Sequence, residues 1–247
     1  MDYDITKLGN WHHDIDLGNG NSTRDLAPPA HHGGEYVNHS FLASCVHKVY
    51  GDTLKDKRVV DVACNAGGCL FALQQKCGGL KYGLGFDARA NWINQANWVK
   101  ENTKACSPIG LEFEVGSFEV LDTCANFDIA LFNGIFYHLP NPFSVLEKVA
   151  AKTNELITIS TAFSPPTDMA AKPSLVFKME KTDNDLSGLD GVSWLPNGQE
   201  VIIQMLKALG FVEFQCIHKK TLPPFRLTVI ASKIKGLLQP LRGISVS

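Results

Sequence analysis

The sequence contains no apolar run that approaches the ~18 to 20 residues of a membrane span, and its opening MDYDITKLGNW lacks the charged and apolar regions of a secretory signal. No membrane partner and a cytoplasmic location are therefore the expectation. There is no CxxC pair: the cysteines, Cys45, Cys64, Cys69, Cys77, Cys106, Cys124 and Cys216, stand singly. An odd number of scattered thiols argues for reduced, mostly buried side chains and against a disulfide framework or a zinc site. Charge of one sign is missing too. Lys and Arg number 23 against 25 Asp and Glu, a net charge of −2, so no general basic field attracts a phosphate backbone, and a nucleic acid would need a local patch. Internal repeats and low-complexity tracts are absent as well. What is present, 247 residues with 45% hydrophobic content, suits one large domain or a core with extensions.

From Arg58 onward, strand-like and helix-like segments alternate, the pattern of a parallel sheet covered by helices. VVDVA (59–63) is short, β-branched and apolar, as a strand buried on both faces should be. A helix over 69–77 follows, with Leu70, Leu73 and Cys77 on one face and Gly78-Gly79 as its stop. Strands are expected at 81–87, 111–115, 127–133 and 156–161, with helices through Trp92, Ala96 and Val99 and from Asn141-Pro142 onward. Residues 162–192, with Pro165, Pro166 and Pro173, show no period and read as an insertion over the sheet edge. In WLPNGQEVIIQMLKALGF, Asn197 is the expected cap, Glu200 completes a capping box, and Gly210 is the stop. Strands at 212–218 and 226–232 are joined by only KKTLPPF, too short for a crossover helix, so this pair should be antiparallel. The expected fold is α/β: a Rossmann-like, seven-stranded, mostly parallel sheet with a C-terminal antiparallel pair and helices on both faces. The expected divisions are an N-terminal extension or lid, 1–57, and a core, 58–247, carrying the insertion.

In such sheets a nucleotide binds where the first strand runs into its helix, because backbone N–H groups there stay free and close to the ligand. That loop is Ala63-Cys64-Asn65-Ala66-Gly67-Gly68, and Asp87 stands twenty residues beyond Gly67, at a second-strand tip suited to ribose hydroxyls. The glycines are degraded. A dinucleotide fingerprint wants Gly at 63, 65 and 68 and finds only Gly68, whereas the methyltransferase pattern wants 63, 65 and 67 and finds only Gly67. Asn65 tolerates a left-handed backbone better than most residues, and Ala63 still permits close approach. The loop alone leaves a nicotinamide or flavin cofactor open.

Together, DVACNAGG, the segment FNGIFYHLPNP and the terminal antiparallel strands resemble class I S-adenosylmethionine-dependent methyltransferases. More narrowly, Tyr137-His138 followed by Asn141-Pro142, and the N-terminal WHHDIDLGNGNSTRD (11–25), are similar to the branch that includes the tRNA wobble-uridine carboxymethyltransferase. This resemblance implies S-adenosyl-L-methionine as cofactor. It also implies that 63–67, with Asp61, Cys64, Asn65 and Gly67, faces the methionine moiety, that Asp87 holds the ribose, and that Gly116-Ser117-Phe118 lies against adenine. Asn133 and Gly134 would approach the cofactor from the acceptor side, and Tyr137 would shape the pocket or touch the cofactor. Trp11 either closes over the cofactor or fills the core.

Transfer from a sulfonium needs mainly in-line positioning, but a hydroxyl acceptor must also lose its proton. The resemblance places His138 at the acceptor side of the cleft, and imidazole titrates near neutrality, so His138 is the candidate general base; the alternative is a histidine bonded to its own loop. His12-His13 and His31-His32 lack a carboxylate or cysteine at ligand spacing, and no metal is expected. The leading expectation is methyl transfer to a hydroxyl of a small molecule or sugar. The alternative is modification of a tRNA uridine, with S-adenosylmethionine or with a carboxylated form of it whose extra charge Lys7, Arg24 or Arg226 would hold. A non-catalytic protein that retains the cofactor fold, and an NAD-dependent oxidoreductase, remain as readings of other classes.

Overall fold

The structure, a computed structural model, describes residues 5–27, 37–165, 172–181, 186–220 and 225–244. The chain forms two compact units, 1–120 and 121–247.

The first unit opens with a short antiparallel pair, β1 (Asp16–Gly18) and β2 (Asn21–Ser22), then the single turn α1 (Thr23–Leu26) and the helix α2 (Ser40–Tyr50). Its core is β3 (Arg58–Val62), α3 (Gly68–Cys77), β4 (Tyr82–Asp87), α4 (Ala90–Asn102) and β5 (Leu111–Val115). β3 pairs with β4 and β4 with β5, both in parallel, with Asp61 opposite Gly85 and Asp87 opposite Val115. Val59, Val60 and Val62 are fully buried, as an apolar β-branched run between two helical layers requires. Gly85 lets two layers close on the strand, since a Cβ there would lie 2.7 Å from the Phe113 ring and 2.9 Å from Cys64 Sγ. Segment 5–27 is stitched to this core. Gln95, buried in α4, donates through its amide nitrogen to the carbonyls of Leu8 (3.1 Å) and Asn10 (2.7 Å), and Lys104 N–H donates to Leu17 at 2.8 Å.

The second unit begins within the short turn α5 (Val120–Thr123) and contains β6 (Phe127–Asn133), α6 (Pro142–Ala151), β7 (Thr153–Ala162), β8 (Leu175–Met179), β9 (Val192–Pro196), α7 (Gln199–Ala208), β10 (Glu213–Lys220) and β11 (Arg226–Ser232). β6 and β7 are parallel, whereas β11 is antiparallel to both β7 and β10. The strands run in the order β10-β11-β7-β6 in the second unit and β3-β4-β5 in the first, seven in all. These are the seven strands expected from the sequence, and the terminal antiparallel pair is where the short connection requires it. Asn141 caps α6 by accepting from Ser144 N–H at 3.2 Å, with Pro142 in the first turn.

One expectation needs correction, and the stretch whose pattern gave no period gains an account. Among its described residues and those just after it, β8 and β9 form a separate antiparallel ribbon in which Phe177 faces Trp194, with ring centroids 4.9 Å apart. Asn197 does not cap the following helix, which starts after Gly198; its amide instead ties the ribbon's base, accepting from Ser174 N–H (3.0 Å) and donating to the Lys172 carbonyl (2.8 Å). Gly210 ends that helix with φ +88°, a conformation open to glycine. Among the described residues, no helix is long and apolar enough to cross a membrane.

Candidate active site

In the first unit, the candidate cofactor-binding element is the β3–α3 loop. Ala63 (φ 56°), Asn65 (φ 51°) and Gly67 (φ 75°) all adopt left-handed backbone, at the three positions where the methyltransferase pattern places glycine. The loop therefore keeps the shape of a glycine-rich turn with one glycine left. Asn65 holds this shape locally, because its side-chain oxygen accepts from Ala66 N–H at 2.7 Å. Gly67 also has a steric demand, since a Cβ there would sit 2.5 Å from the Phe113 ring. Over the start of α3, Gly68 N–H donates to His13 Nδ1 at 3.2 Å.

Asp87 ends β4 and is 4% exposed; its two carboxylate oxygens accept from Asn65 N–H and Arg89 N–H, each at 3.0 Å. Each oxygen keeps a further lone pair for a ribose hydroxyl, so the pre-bonded carboxylate suits that ligand. Burial pushes its pKa up, opposed by those two hydrogen bonds and by the Arg89 charge. Asp61, on β3 and 3% exposed, is pushed well above the usual carboxylate range by burial first and by Asp87 second. Cys64 is buried, with its thiol pushed up by burial and then by the charges of Asp61 and Asp87, so it is no nucleophile. After β5, Gly116 N–H donates to the Asp87 carbonyl at 3.0 Å, Ser117 is exposed with its hydroxyl bonded to Glu119, and Phe118 is half-buried. Trp11 is 1% exposed; its indole N–H donates to the Ile5 carbonyl at 3.0 Å and its ring meets Trp98 edge-on.

In the second unit, β6 runs into a turn in which Gly134 (φ 80°) donates its N–H to Ser160 at 2.7 Å and Asn133 accepts from the Thr158 hydroxyl at 3.2 Å. A single 3-10 turn, Phe136–His138, then carries Tyr137 and His138 side by side, with rings 3.9 Å apart. His138 is 8% exposed, and its Nδ1 lies 2.7 Å from the carboxylate of Glu180, just beyond β8. Arg226, at the start of β11, stacks its guanidinium 4.9 Å over the Tyr137 ring. Glu180 belongs to the segment whose pattern could not be read, and no periodicity signalled it. Of the three cations considered, Lys7 and Arg24 are exposed in the first unit, and Arg226 is the one that joins the Tyr137-His138 turn. His31 and His32 lie outside the described residues; among those described, no three His, Cys, Asp or Glu side chains group as metal ligands.

A family model of the methyltransferase domain matches residues 53–194, and the chain belongs to that family. With the fold and the loop geometry, this makes it a class I S-adenosylmethionine-dependent methyltransferase. Among solved structures, the N-terminal domain of EvdMO1, determined in the presence of S-adenosylhomocysteine and D-fucose, superposes with a TM-score of 0.72 at 19% identity, covering 92% of this chain and 93% of that one. Magnesium protoporphyrin IX methyltransferase from Synechocystis, with bound S-adenosylmethionine, gives a TM-score of 0.55 at 13% identity over 79% of this chain and 80% of that one. A tRNA U34 carboxymethyltransferase from Aliarcobacter butzleri is 30% identical over 102 residues, 41% of this chain, and the chain spans only 32% of that relative's length.

Proposed function

We infer that this methyltransferase acts on a hydroxyl group of a small molecule or sugar, with His138 as the general base. One observation carries the reading: His138 is buried, at the end of β6, with a carboxylate 2.7 Å from Nδ1. An imidazole that donates from Nδ1 has its lone pair on Nε2, where it can take a proton, and the adjacent carboxylate stabilises the imidazolium that results. A hydroxyl acceptor needs such a group; an acceptor that is already nucleophilic does not. S-adenosylmethionine would be held by the 63–67 loop and Asp87, and supplies an electrophilic methyl group on a sulfonium. His138 would take the proton that the acceptor hydroxyl loses on attack. The D-fucose present with one structural relative makes sugar hydroxyls the first acceptors to try.

The test is release of S-adenosylhomocysteine from S-adenosylmethionine with D-fucose and a panel of related sugars. Turnover is expected with a sugar and should fall by about 10²- to 10⁴-fold in His138→Gln. Turnover that survives the substitution removes His138 as base. Intact cofactor binding with no turnover on any acceptor supports a non-catalytic role.

A second reading is supported by the Arg226 guanidinium over the Tyr137 ring. A cation at this turn would hold the extra carboxylate of a carboxylated cofactor, as uridine carboxymethylation in tRNA requires, and the similarity over 102 residues points the same way. Product formed only with unmodified tRNA and the carboxylated donor would establish it over the sugar.

A further inference from the structure

We propose that Glu180 is a positioning residue for the reaction: it fixes His138 in the Nδ1-protonated tautomer and thereby presents Nε2 as the base, an inference that rests on the reading of His138 above. The geometry is more than one short contact. One oxygen, Glu180 Oε2, accepts from both His138 Nδ1 (2.7 Å) and Gly188 N–H (3.2 Å). The carboxylate is thus fixed by backbone before it meets the imidazole. Its own backbone is fixed too, because Glu180 N–H donates to the Gly191 carbonyl at 2.8 Å, continuing the β8–β9 ribbon.

Gly188 closes the arrangement from the other side. A Cβ built there would stand 2.8 Å from the His138 carbonyl oxygen, 3.0 Å from His138 Cβ and 3.1 Å from Glu180 Oε2. Only glycine lets this backbone lie against the histidine while donating to the carboxylate. The ribbon is anchored to the same turn by the Trp194 indole, whose N–H donates to the Pro140 carbonyl at 3.2 Å. Three groups of the β8–β9 ribbon and its connection, Glu180, Gly188 and Trp194, therefore meet the segment that carries His138. The insertion so acts on the reaction through the histidine's proton position. In the proton transfer, Nδ1–H stays hydrogen-bonded to Glu180, Nε2 gains the acceptor's proton, and the Glu180 charge balances the imidazolium.

The structure also says what else bears on this imidazole. Among the described residues, Glu180 is bonded to this imidazole, the Tyr137 ring lies beside it, and Arg226 stands beyond that ring. With Glu180 neutralised, the Arg226 cation opposes protonation.

The experiment is long-range proton–nitrogen correlation NMR on the full chain labelled at histidine, with His138 assigned by the signal missing in His138→Gln. The wild type should show the Nδ1–H tautomer at neutral pH. In Glu180→Gln that signature should be lost or mixed with the Nε2–H form, and the His138 titration midpoint should fall by about one pH unit or more. Glu180 is 21% exposed, so the variant should fold, and S-adenosylhomocysteine should still raise its melting temperature. If its melt is nonetheless non-cooperative, Glu180→Asp is read the same way, because the shorter side chain withdraws the carboxylate from Nδ1. An unchanged tautomer together with an unchanged midpoint overturns the proposal. This readout needs no acceptor, so it fails independently of the sugar assay.

Discussion

Ala63 takes a left-handed conformation (φ 56°) that costs an L-residue with a Cβ roughly 1 to 2 kcal/mol relative to glycine. Its neighbour in kind, Asn65, offsets part of that cost by bonding its side chain to Ala66 N–H, an option alanine lacks. Ala63→Gly should therefore raise stability, by up to about 1 kcal/mol once the glycine's extra freedom in the unfolded chain is subtracted. Chemical denaturation measures this directly, and a destabilised variant would mean the loop gains something from the methyl group. The same residues show why the site was only half legible in the sequence. A motif search looks for glycine, whereas the ligand meets a backbone shape, and Ala63 and Asn65 hold that shape without the letter that advertises it. Asp87 was legible because its place at a strand tip follows from strand spacing alone. Glu180 was not, because a single carboxylate in an aperiodic segment carries no positional information until the chain is folded.

At the scale of elements, the N-terminal segment is held to α3 by a polar contact that acid should weaken. His13 accepts from Gly68 N–H, and its ring meets His39 edge-on with centroids 4.6 Å apart. Burial pushes His13 well below the ordinary imidazole value, reinforced by His39 and then His12, and burial lowers His39 from 6.5 to about 4. Protonating either ring costs more in the folded state than in the unfolded one. Stability from these groups is thus complete above the unfolded value of 6.5 and is lost as pH falls through the folded values, at most about 3 kcal/mol for His39 by pH 4. The melting temperature should fall between pH 6.5 and 4, and His39→Gln should flatten that slope; parallel pH profiles for the two proteins would exclude the pair as its source. Elements were also where sequence patterning worked best and where it failed most clearly. Seven strands could be located because VVDV or FDIALF admits few other folds, being buried and β-branched or aromatic. The β8–β9 ribbon could not, since LVFKM and VSWLP are short, half-exposed and twelve residues apart, too far for the Asp-Gly between them to read as a two-residue hairpin turn. Asn197 misled for a physical reason: the same side chain can cap a helix or bridge two loops, and Lys172 and Ser174 take both ends of its amide.

At the scale of the whole molecule, the expectation turns on which ligand the folded chain selects over the unfolded one. The β3–α3 loop by itself admits a dinucleotide or S-adenosylmethionine, because both present an adenosine to the same strand ends. What favours the methyl donor is the backbone: left-handed residues fall at 63, 65 and 67, the three glycine positions of the methyltransferase pattern, while Gly68 opens α3 and its missing Cβ makes room for His13 and His39. A ligand that binds only the folded state stabilises it by about 2.7 kcal/mol at one hundred times its dissociation constant. For a chain of this length that corresponds to a rise in melting temperature of about 5 to 10 °C. S-adenosylhomocysteine should produce such a rise and NAD at equal concentration should produce none. The opposite pattern would contradict the family assignment at its physical base, since a loop that stabilises the fold by holding a dinucleotide is not shaped for a sulfonium donor, whatever sheet order surrounds it.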